Sequence, residues 1–202
     1  MKKSRFIEFL IRHNELDQSG FEEWVFYPGM LFHSQDKWWE DGGVRQRPHE
    51  GVDFCFYRDA AGQFHNLDKK TKIPVMYDGE IVNIQDDFLG KSLFLRHDIS
   101  DNYGNRLYTM YGHTSPYRGA EVGRIFREGE AIAAIADAER KNTQIASHLH
   151  ISVAWLQKSF PHERLDWKTI NDDRVVTLCD PLEFIERKYK VRRDVLWKKS
   201  GG

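Results

Sequence analysis

The chain has 202 residues, of which 40% are hydrophobic and 13% aromatic, so it is long and apolar enough for about one folded domain with its own core. Thirty basic residues against 31 acidic ones give a formal net charge of −1, which argues against a nucleic-acid-binding surface because such a surface needs a basic patch. The two cysteines, Cys55 and Cys179, lie far apart, which excludes a cysteine-based zinc site and leaves a single disulfide bridge between them undecided.

Residues 1–43 are predicted to form an N-terminal extension. The stretch SRFIEFLIRHNEL has apolar residues at helical spacing and predicts a short amphipathic helix, which turns and aromatic residues follow. No segment reaches the ~20 apolar residues of a membrane span, so we expect no transmembrane segment. Glu8 and Arg12 interrupt the first apolar run too early for a signal-peptide core, so no export signal is recognisable.

Residues 44–190 have the pattern of an all-β domain. Short apolar runs alternate with turns, as in GVDFCFY, KIPVMYDGEIVNIQ, KSLFLRHDI, RLYTMYGHT, EAIAAIA and HLHISVAWL. Strands at this regular spacing predict a mainly β fold with an antiparallel sandwich or barrel-like core. The Asp-Gly pair within YDGE, residues 77–80, predicts a tight hairpin turn.

The β pattern weakens toward the end of this domain. Residues 157–177 form a polar insert that is predicted to be partly helical. The segment DPLEFIERKYK then predicts a C-terminal helix, with Asp180 as its N-cap and Pro181 at its first position. Residues 191–202 form a basic tail, which we interpret as solvated.

Two histidines, His148 and His150, flank one leucine at the start of the last long apolar run. Because side chains alternate along a strand, both imidazoles and Ser152 are expected on one face, with an apolar core face opposite. Two imidazoles side by side on an open face can bind a metal ion or transfer protons. On this spacing alone, an exposed strand with two incidental histidines is the slightly better interpretation.

The stretch RPHEGVDFCFY adds a second pair of candidate ligands, His49 and Asp53. Pro48 and Gly51 argue against a helix and favour a loop that enters a strand, in which Gly51 lets the backbone turn. Histidine and carboxylate are ordinary zinc ligands, and catalytic zinc sites use three protein ligands with one open position. His49, Asp53 and one histidine of the HLH pair would make such a site.

The stretch LYTMYGHTSP supplies a third candidate, His113. Its strand is predicted to end near Gly112, which would place His113 at the mouth of the strand, where functional loops are common. Alone, His113 is best interpreted as a surface histidine. Beside the other two motifs it becomes a candidate proton carrier.

The ordered set H-x-G-x-D, Y-x-H and H-x-H on a β-rich chain resembles the lysostaphin/LytM-type zinc metallopeptidases, bacterial enzymes that cut peptide bonds in peptidoglycan. The resemblance covers roughly residues 44–185 and includes the intervening strands. It implies one Zn²⁺ ion held by His49, Asp53 and His150, with His113 and His148 as the catalytic histidines. It also implies a peptidoglycan peptide as the substrate and a location in the cell envelope or outside the cell.

The sequence departs from this family in two places. The loop 136–147, which leads to the HLH strand, has no glycine, and the insert 157–177 is longer than the usual hairpin. Two other functions stay open: a catalytically idle relative that binds and regulates a cell-wall hydrolase, and a zinc peptidase that acts on protein substrates. Nothing in the sequence indicates the oligomeric state.

Overall fold

The computed structural model describes residues 2–40, 42–138, 145–186 and 189–192, and in this part of the chain strands dominate. The helices are α1 (Phe6–His13) and α2 (Trp167–Ile170), with 3₁₀ turns at Pro28–Met30, His162–Arg164 and Pro181–Phe184. The strands are β1 (Phe21–Phe26), β2 (Val52–Phe54), β3 (Phe56–Asp59), β4 (Phe64–Asn66), β5 (Lys72–Pro74), β6 (Gly79–Asp86), β7 (Lys91–Ser100), β8 (Arg106–Pro116), β9 (Ile125–Phe126), β10 (Ala131–Ile135), β11 (Leu149–Leu156), β12 (Val176–Cys179) and β13 (Tyr189–Val191). The prediction of a mainly β fold is confirmed.

Two sheets contribute to the main core. In the larger sheet, β11 pairs with β8 along its length, and its other edge is shared by β2 near the start and β12 near the end. Strands β7 and β6 continue this sheet beyond β8. The smaller sheet has the order β13-β1-β3-β4, and the pairing of β1 with β13 is parallel.

Helix α1 lies on this core with its apolar face buried. The predicted N-terminal helix is confirmed, and the ring of Phe6 contacts Phe54 of β2 and Tyr111 of β8 at centroid distances of 6.2 and 6.5 Å. The apolar face of α1 therefore belongs to the core of the β domain. The division of the chain at residue 44 stays a prediction.

The predicted C-terminal helix is wrong. Asp180 does accept a hydrogen bond from the Leu182 amide, as an N-cap does, but the helix ends after a single 3₁₀ turn. The Phe184 carbonyl accepts the amide of Ser4 at 2.8 Å, and Ile185 is extended. Pairing with the other end of the chain thus removes a carbonyl that a continuing helix would need.

The predicted hairpin turn at residues 77–80 is also wrong. Strand β5 pairs with β10 and not with β6, so no hairpin joins β5 to β6. A Cβ on Gly79 would lie 2.5 Å from Nδ1 of the buried His97, so this glycine allows a close approach between β6 and β7.

The insert covers the face of the larger sheet that carries His150. Leu165 and Ile170 are fully buried and belong to a second apolar cluster with Phe94 and Met110 of that sheet. His148 and His150 are buried as well. The expectation of an open histidine face is therefore wrong, because Trp167 of the insert lies against His150 and Trp38 lies against His148.

Three further points concern the cysteines, two segments of the chain and the helices. Cys55 and Cys179 are both free thiols. Residues 139–144 of the glycine-free loop and 193–202 of the basic tail lie outside the described residues. None of the described helices has the length and apolarity that a membrane crossing requires.

Candidate metal site

The pairing of two strands brings the H-x-G-x-D motif to the H-x-H motif. Asp53 on β2 lies directly opposite His150 on β11 in antiparallel register. His49 precedes β2 in a loop, and its backbone is held by hydrogen bonds with His33 and Ser34. The loop before β2 thus returns His49 to the two residues on the paired strands.

Gly51 makes this return possible, although not through an unusual turn. A Cβ at this position would lie 2.1 Å from the Ile151 carbonyl oxygen and 2.8 Å from His150 Nε2. The chain therefore needs glycine here because the loop passes directly against β11.

Three potential ligand atoms converge within hydrogen-bond distance of one another. His49 Nε2 lies 3.0 Å from His150 Nδ1 and 3.2 Å from Asp53 Oδ1, and His150 Nδ1 lies 2.9 Å from Asp53 Oδ1. All three residues are buried. His49, Asp53 and His150 form a group that can hold a metal ion.

The hydrogen bonds around the two imidazoles indicate which nitrogen has a free lone pair. His49 Nδ1 faces the Leu31 carbonyl at 3.1 Å, and because a carbonyl only accepts, the ring hydrogen lies on Nδ1 and the lone pair on Nε2. His150 Nε2 lies 2.8 Å from the Ser152 hydroxyl, which can accept its hydrogen and leave the lone pair on Nδ1. Both lone pairs then point at a carboxylate oxygen, so the site needs a cation or a shared proton.

The spacing of the ligand atoms fits tetrahedral zinc. Zinc binds imidazole nitrogen and carboxylate oxygen at about 2.0–2.1 Å, which places neighbouring ligand atoms of a tetrahedron about 3.3 Å apart. The three separations here, 3.0, 2.9 and 3.2 Å, lie close to that value. Two imidazoles and one carboxylate are also a donor set that zinc accepts.

The second oxygen of Asp53 is held from the other side. Trp38 Nε1 donates a 2.6 Å hydrogen bond to Oδ2, and Arg45 lies 3.7 Å from the same oxygen. Burial alone would raise the pKa of Asp53, but His49, His148 and His150 lower it well below its usual range. Asp53 is therefore ionised, with Oδ1 directed at the other two ligand atoms.

His148 lies beside this group as a neutral imidazole. Its Nδ1 donates to the Ala146 carbonyl at 2.8 Å, so its Nε2 has the lone pair and lies 3.8 Å from Asp53 Oδ1. Burial lowers the pKa of His148 to about 3, partly offset by the charge of Asp53. At neutral pH the ring is therefore neutral, and the lone pair of its Nε2 is free.

His113 reaches the site through a β-bulge. Between the pairs Lys91–Thr114 and Leu93–Tyr111, two residues of β8, Gly112 and His113, face one residue of β7. His113 has a φ of 61°, in the left-handed region, and its ring lies 4.7 Å from that of His148. The predicted strand end near Gly112 is wrong, since β8 continues to Pro116 and the bulge, not a loop, turns His113 toward the site.

All five predicted site residues line one cavity of about 310 Å³. Its other walls combine aromatic or apolar residues with charged ones, namely Trp39, Phe88, Ile145 and Trp167 with Arg45, Glu50 and Asp87. The Trp167 ring comes from the insert and lies 5.4 Å from the ring of His150. The insert thus forms one wall of the cavity, beside a candidate ligand.

Several residues of this site have no signal in the sequence. Arg45 and Trp167 belong to segments without a recognisable motif, and the aromatic pair of DKWWEDGG, which contains Trp38, is better interpreted as packing on the core than as a contact with a carbohydrate or peptide. Asp87, which contacts His113, lies in the stretch QDDFLGK, which indicates an ordinary turn. The fold, and not a sequence motif, brings these side chains to the site.

Comparisons with known proteins add little to this geometry. No family model and no curated protein matches the chain. Among solved structures it is similar to a point mutant of the catalytic domain of the prophage-encoded M23 protein EnpA from Enterococcus faecalis, with 18% identity and a TM-score of 0.40 over 78% of this chain and 93% of that one. A similarity at this level carries no argument about activity, so the interpretation rests on the residues described above.

Proposed function

We propose that this protein is a zinc-dependent endopeptidase that hydrolyses peptide bonds in the stem or cross-bridge peptides of peptidoglycan. The observation that carries the proposal is the convergence of three lone pairs, from His49 Nε2, Asp53 Oδ1 and His150 Nδ1, in a cavity that two further histidines line. The substrate class follows from the resemblance of the motifs to the lysostaphin/LytM-type enzymes.

His49, Asp53 and His150 would hold the metal ion in this proposal. Zinc bound there supplies a Lewis acid that polarises the scissile carbonyl and lowers the pKa of water to about 7. Asp53 contributes the one negative charge among the ligands, and Trp38 and Arg45 contact its Oδ2, which leaves Oδ1 for the metal ion. His113 and His148 would carry out the three other catalytic roles, which are to accept a proton, to return it and to stabilise developing charge.

The two further histidines have lone pairs suited to proton transfer. In both rings the hydrogen lies on Nδ1, since that nitrogen of His148 faces a carbonyl and that of His113 faces a carboxylate. Each Nε2 can then accept a proton from the attacking water and return it to the leaving amine. A protonated ring can also stabilise the developing oxyanion.

The decisive experiment separates metal binding from turnover. Zinc content and release of soluble peptide from purified peptidoglycan are measured for wild type, His150→Ala and His148→Ala. We expect His150→Ala to lose both zinc and activity, because it removes a ligand. His148→Ala should retain zinc and lose activity by roughly 10²–10⁴-fold, the usual contribution of a general acid–base group.

The other two functions are outcomes of the same experiment. Stoichiometric zinc without turnover of any peptidoglycan preparation would favour a regulator that binds a cell-wall hydrolase. Cleavage of unstructured proteins but not of peptidoglycan would favour a peptidase with protein substrates. Wild-type rates in both variants would exclude the assigned site.

A further inference from the structure

A carboxylate that no motif includes lies behind His113. Asp87, between β6 and β7, accepts the backbone amide of His113 on Oδ2 at 2.7 Å and faces the ring nitrogen Nδ1 with Oδ1 at 3.2 Å. One side chain thus contacts both the bulged backbone and the imidazole of the same residue. Asp87 also lines the cavity.

Every hydrogen-bonding group that faces this carboxylate is a donor or can act as one. The amides of Leu89 and Gly90 donate to Oδ1 at 2.9 and 2.7 Å, and the hydroxyl of Ser92 donates to Oδ2 at 2.7 Å. Burial alone would raise the pKa of Asp87, but these bonds and His113 hold it well below its usual range. Asp87 is therefore a fixed anion, and the nitrogen of His113 that faces it must carry the hydrogen.

The insert holds this carboxylate in place through Ser92. Trp167 Nε1 donates a 2.9 Å hydrogen bond to the Ser92 hydroxyl oxygen, which leaves the hydroxyl hydrogen for Asp87 Oδ2. Ser92 is fully buried and is the single β7 residue opposite the bulge. The hydrogen bonds therefore run without a gap from the insert to the ring of His113.

We propose that Asp87, held by Ser92 and Trp167, is the positioning residue of the site, which fixes His113 as the Nδ1–H tautomer with Nε2 free in the cavity. Asp87 also balances the positive charge when His113 Nε2 accepts a proton. The proposal rests on the proposed hydrolytic function for its kinetic consequence, but not for the tautomer. A residue that only closed the turn at 87–90 would have no effect on the ring.

The first test is the tautomer of His113 in the metal-free protein. Nitrogen-15 spectra of protein labelled at histidine, at a pH where the ring is neutral, are assigned by comparison with His113→Gln. We expect the hydrogen on Nδ1. A ring with its hydrogen on Nε2 would overturn the proposal, whether or not the protein is a peptidase.

The second test is kinetic and uses the zinc-loaded protein. Asp87→Asn removes the negative charge, and we expect kcat for peptidoglycan to fall by roughly 10²-fold or more, with KM and zinc stoichiometry unchanged. Asp87→Glu should recover part of this loss because it restores a carboxylate. Trp167→Phe keeps the ring and removes the donor, so its kcat should fall by about tenfold.

Asp86→Asn is the matched control, since Asp86 is the neighbouring residue and its side chain is 86% exposed. This variant should behave as wild type. A folded Asp87→Asn protein with a wild-type kcat would overturn the proposal and leave the peptidase function intact. An inactive wild type would instead remove the peptidase function, while the tautomer measurement would still decide the role of Asp87.

Discussion

Asp53 is the residue on which the other candidate ligands depend. Its Oδ1 lies within 3.2 Å of a nitrogen of His49 and of His150, while its Oδ2 is occupied by the indole of Trp38. Partners of this kind orient a ligand and raise metal affinity, although they do not touch the metal. The tryptophan therefore contributes to the site through one hydrogen bond, and this contribution can be measured.

Trp38→Phe tests that hydrogen bond. The variant keeps an aromatic ring against His148 but removes the donor to Asp53 Oδ2. We expect zinc affinity to fall by roughly 10–100-fold, measured by competition with a chromophoric chelator. Trp39→Phe, which changes the neighbouring cavity wall, should leave the affinity unchanged, and equal effects of both variants would contradict the assignment.

Gly51→Ala tests the close approach of the loop to β11. The new Cβ would lie 2.1 Å from the Ile151 carbonyl, so the loop must move away from the strand. We expect the free energy of unfolding to fall by about 3 kcal/mol or more, measured by urea denaturation with chelator present. Glu50→Ala, one residue earlier, should change it by less than about 0.5 kcal/mol.

At the scale of the elements, α1 and the insert cover different parts of the β structure. The apolar face of α1 contributes to the main core between the sheets, whereas the insert buries the sheet face beside His150. Neither segment has the alternating pattern of a strand, so their sequences suggest additions to a β domain that is stable without them. In the structure each supplies fully buried side chains, so we expect the stability of the domain to depend on them.

Phe6→Ala tests whether α1 is part of the cooperative unit. Phe6 is fully buried against Phe54 and Tyr111, so its removal should lower the free energy of unfolding by about 3–5 kcal/mol in a single transition. Phe9→Ala on the same helix removes a half-buried ring and should cost about 1 kcal/mol. A small effect of Phe6→Ala would instead support a dispensable extension.

At the scale of the whole molecule, stability should depend on pH through a histidine remote from the candidate ligands. His97 is buried between β6 and β8, where Nδ1 donates to the Asp78 carbonyl and Nε2 accepts from Thr109. Burial lowers its pKa from 6.5 to about 4. The unfolded chain therefore binds a proton more readily than the folded protein between these two pH values.

The free energy of unfolding therefore falls by on the order of 3 kcal/mol as the pH drops from about 6.5 to about 4. Above pH 6.5 the ring is neutral in both states, so none of this stability is lost. His97→Gln lacks the titration, so the stability difference between wild type and variant should narrow over this range. Urea denaturation at several pH values, with chelator present, measures this difference. A difference that stays constant with pH would contradict the assignment.

The strands could be predicted from the sequence because their apolar pattern reports burial directly. The apolar runs that predicted β7, β8 and β11 correspond to long paired strands of the larger sheet. The candidate ligands could be identified for a related reason, since His49 and Asp53 flank a glycine and His150 stands in a period-two pattern. What the sequence does not contain is the register that brings these segments together.

The wrong predictions share one cause, which is that a distant segment overrides a local signal. Asp180 and Pro181 are a sound start for a helix, yet Ser4 takes the carbonyl of Phe184. Asp78 and Gly79 are a sound turn pair, yet Gly79 is needed beside His97. Asp87 was not identified for the same reason, because its partner His113 lies 26 residues away on a paired strand.

The bulge in β8 has a consequence for insertions and deletions in this strand. Gly112 lies opposite His150, where an added Cβ would be only 3.2 Å from the His150 Cβ, and the extra residue displaces His113 to one side. Deletion of Gly112 would restore a regular ladder and move the imidazole of His113 into that space against His150. The length of β8 is therefore as constrained as its composition, and chains that keep this site should keep the number of residues between Tyr111 and Thr114.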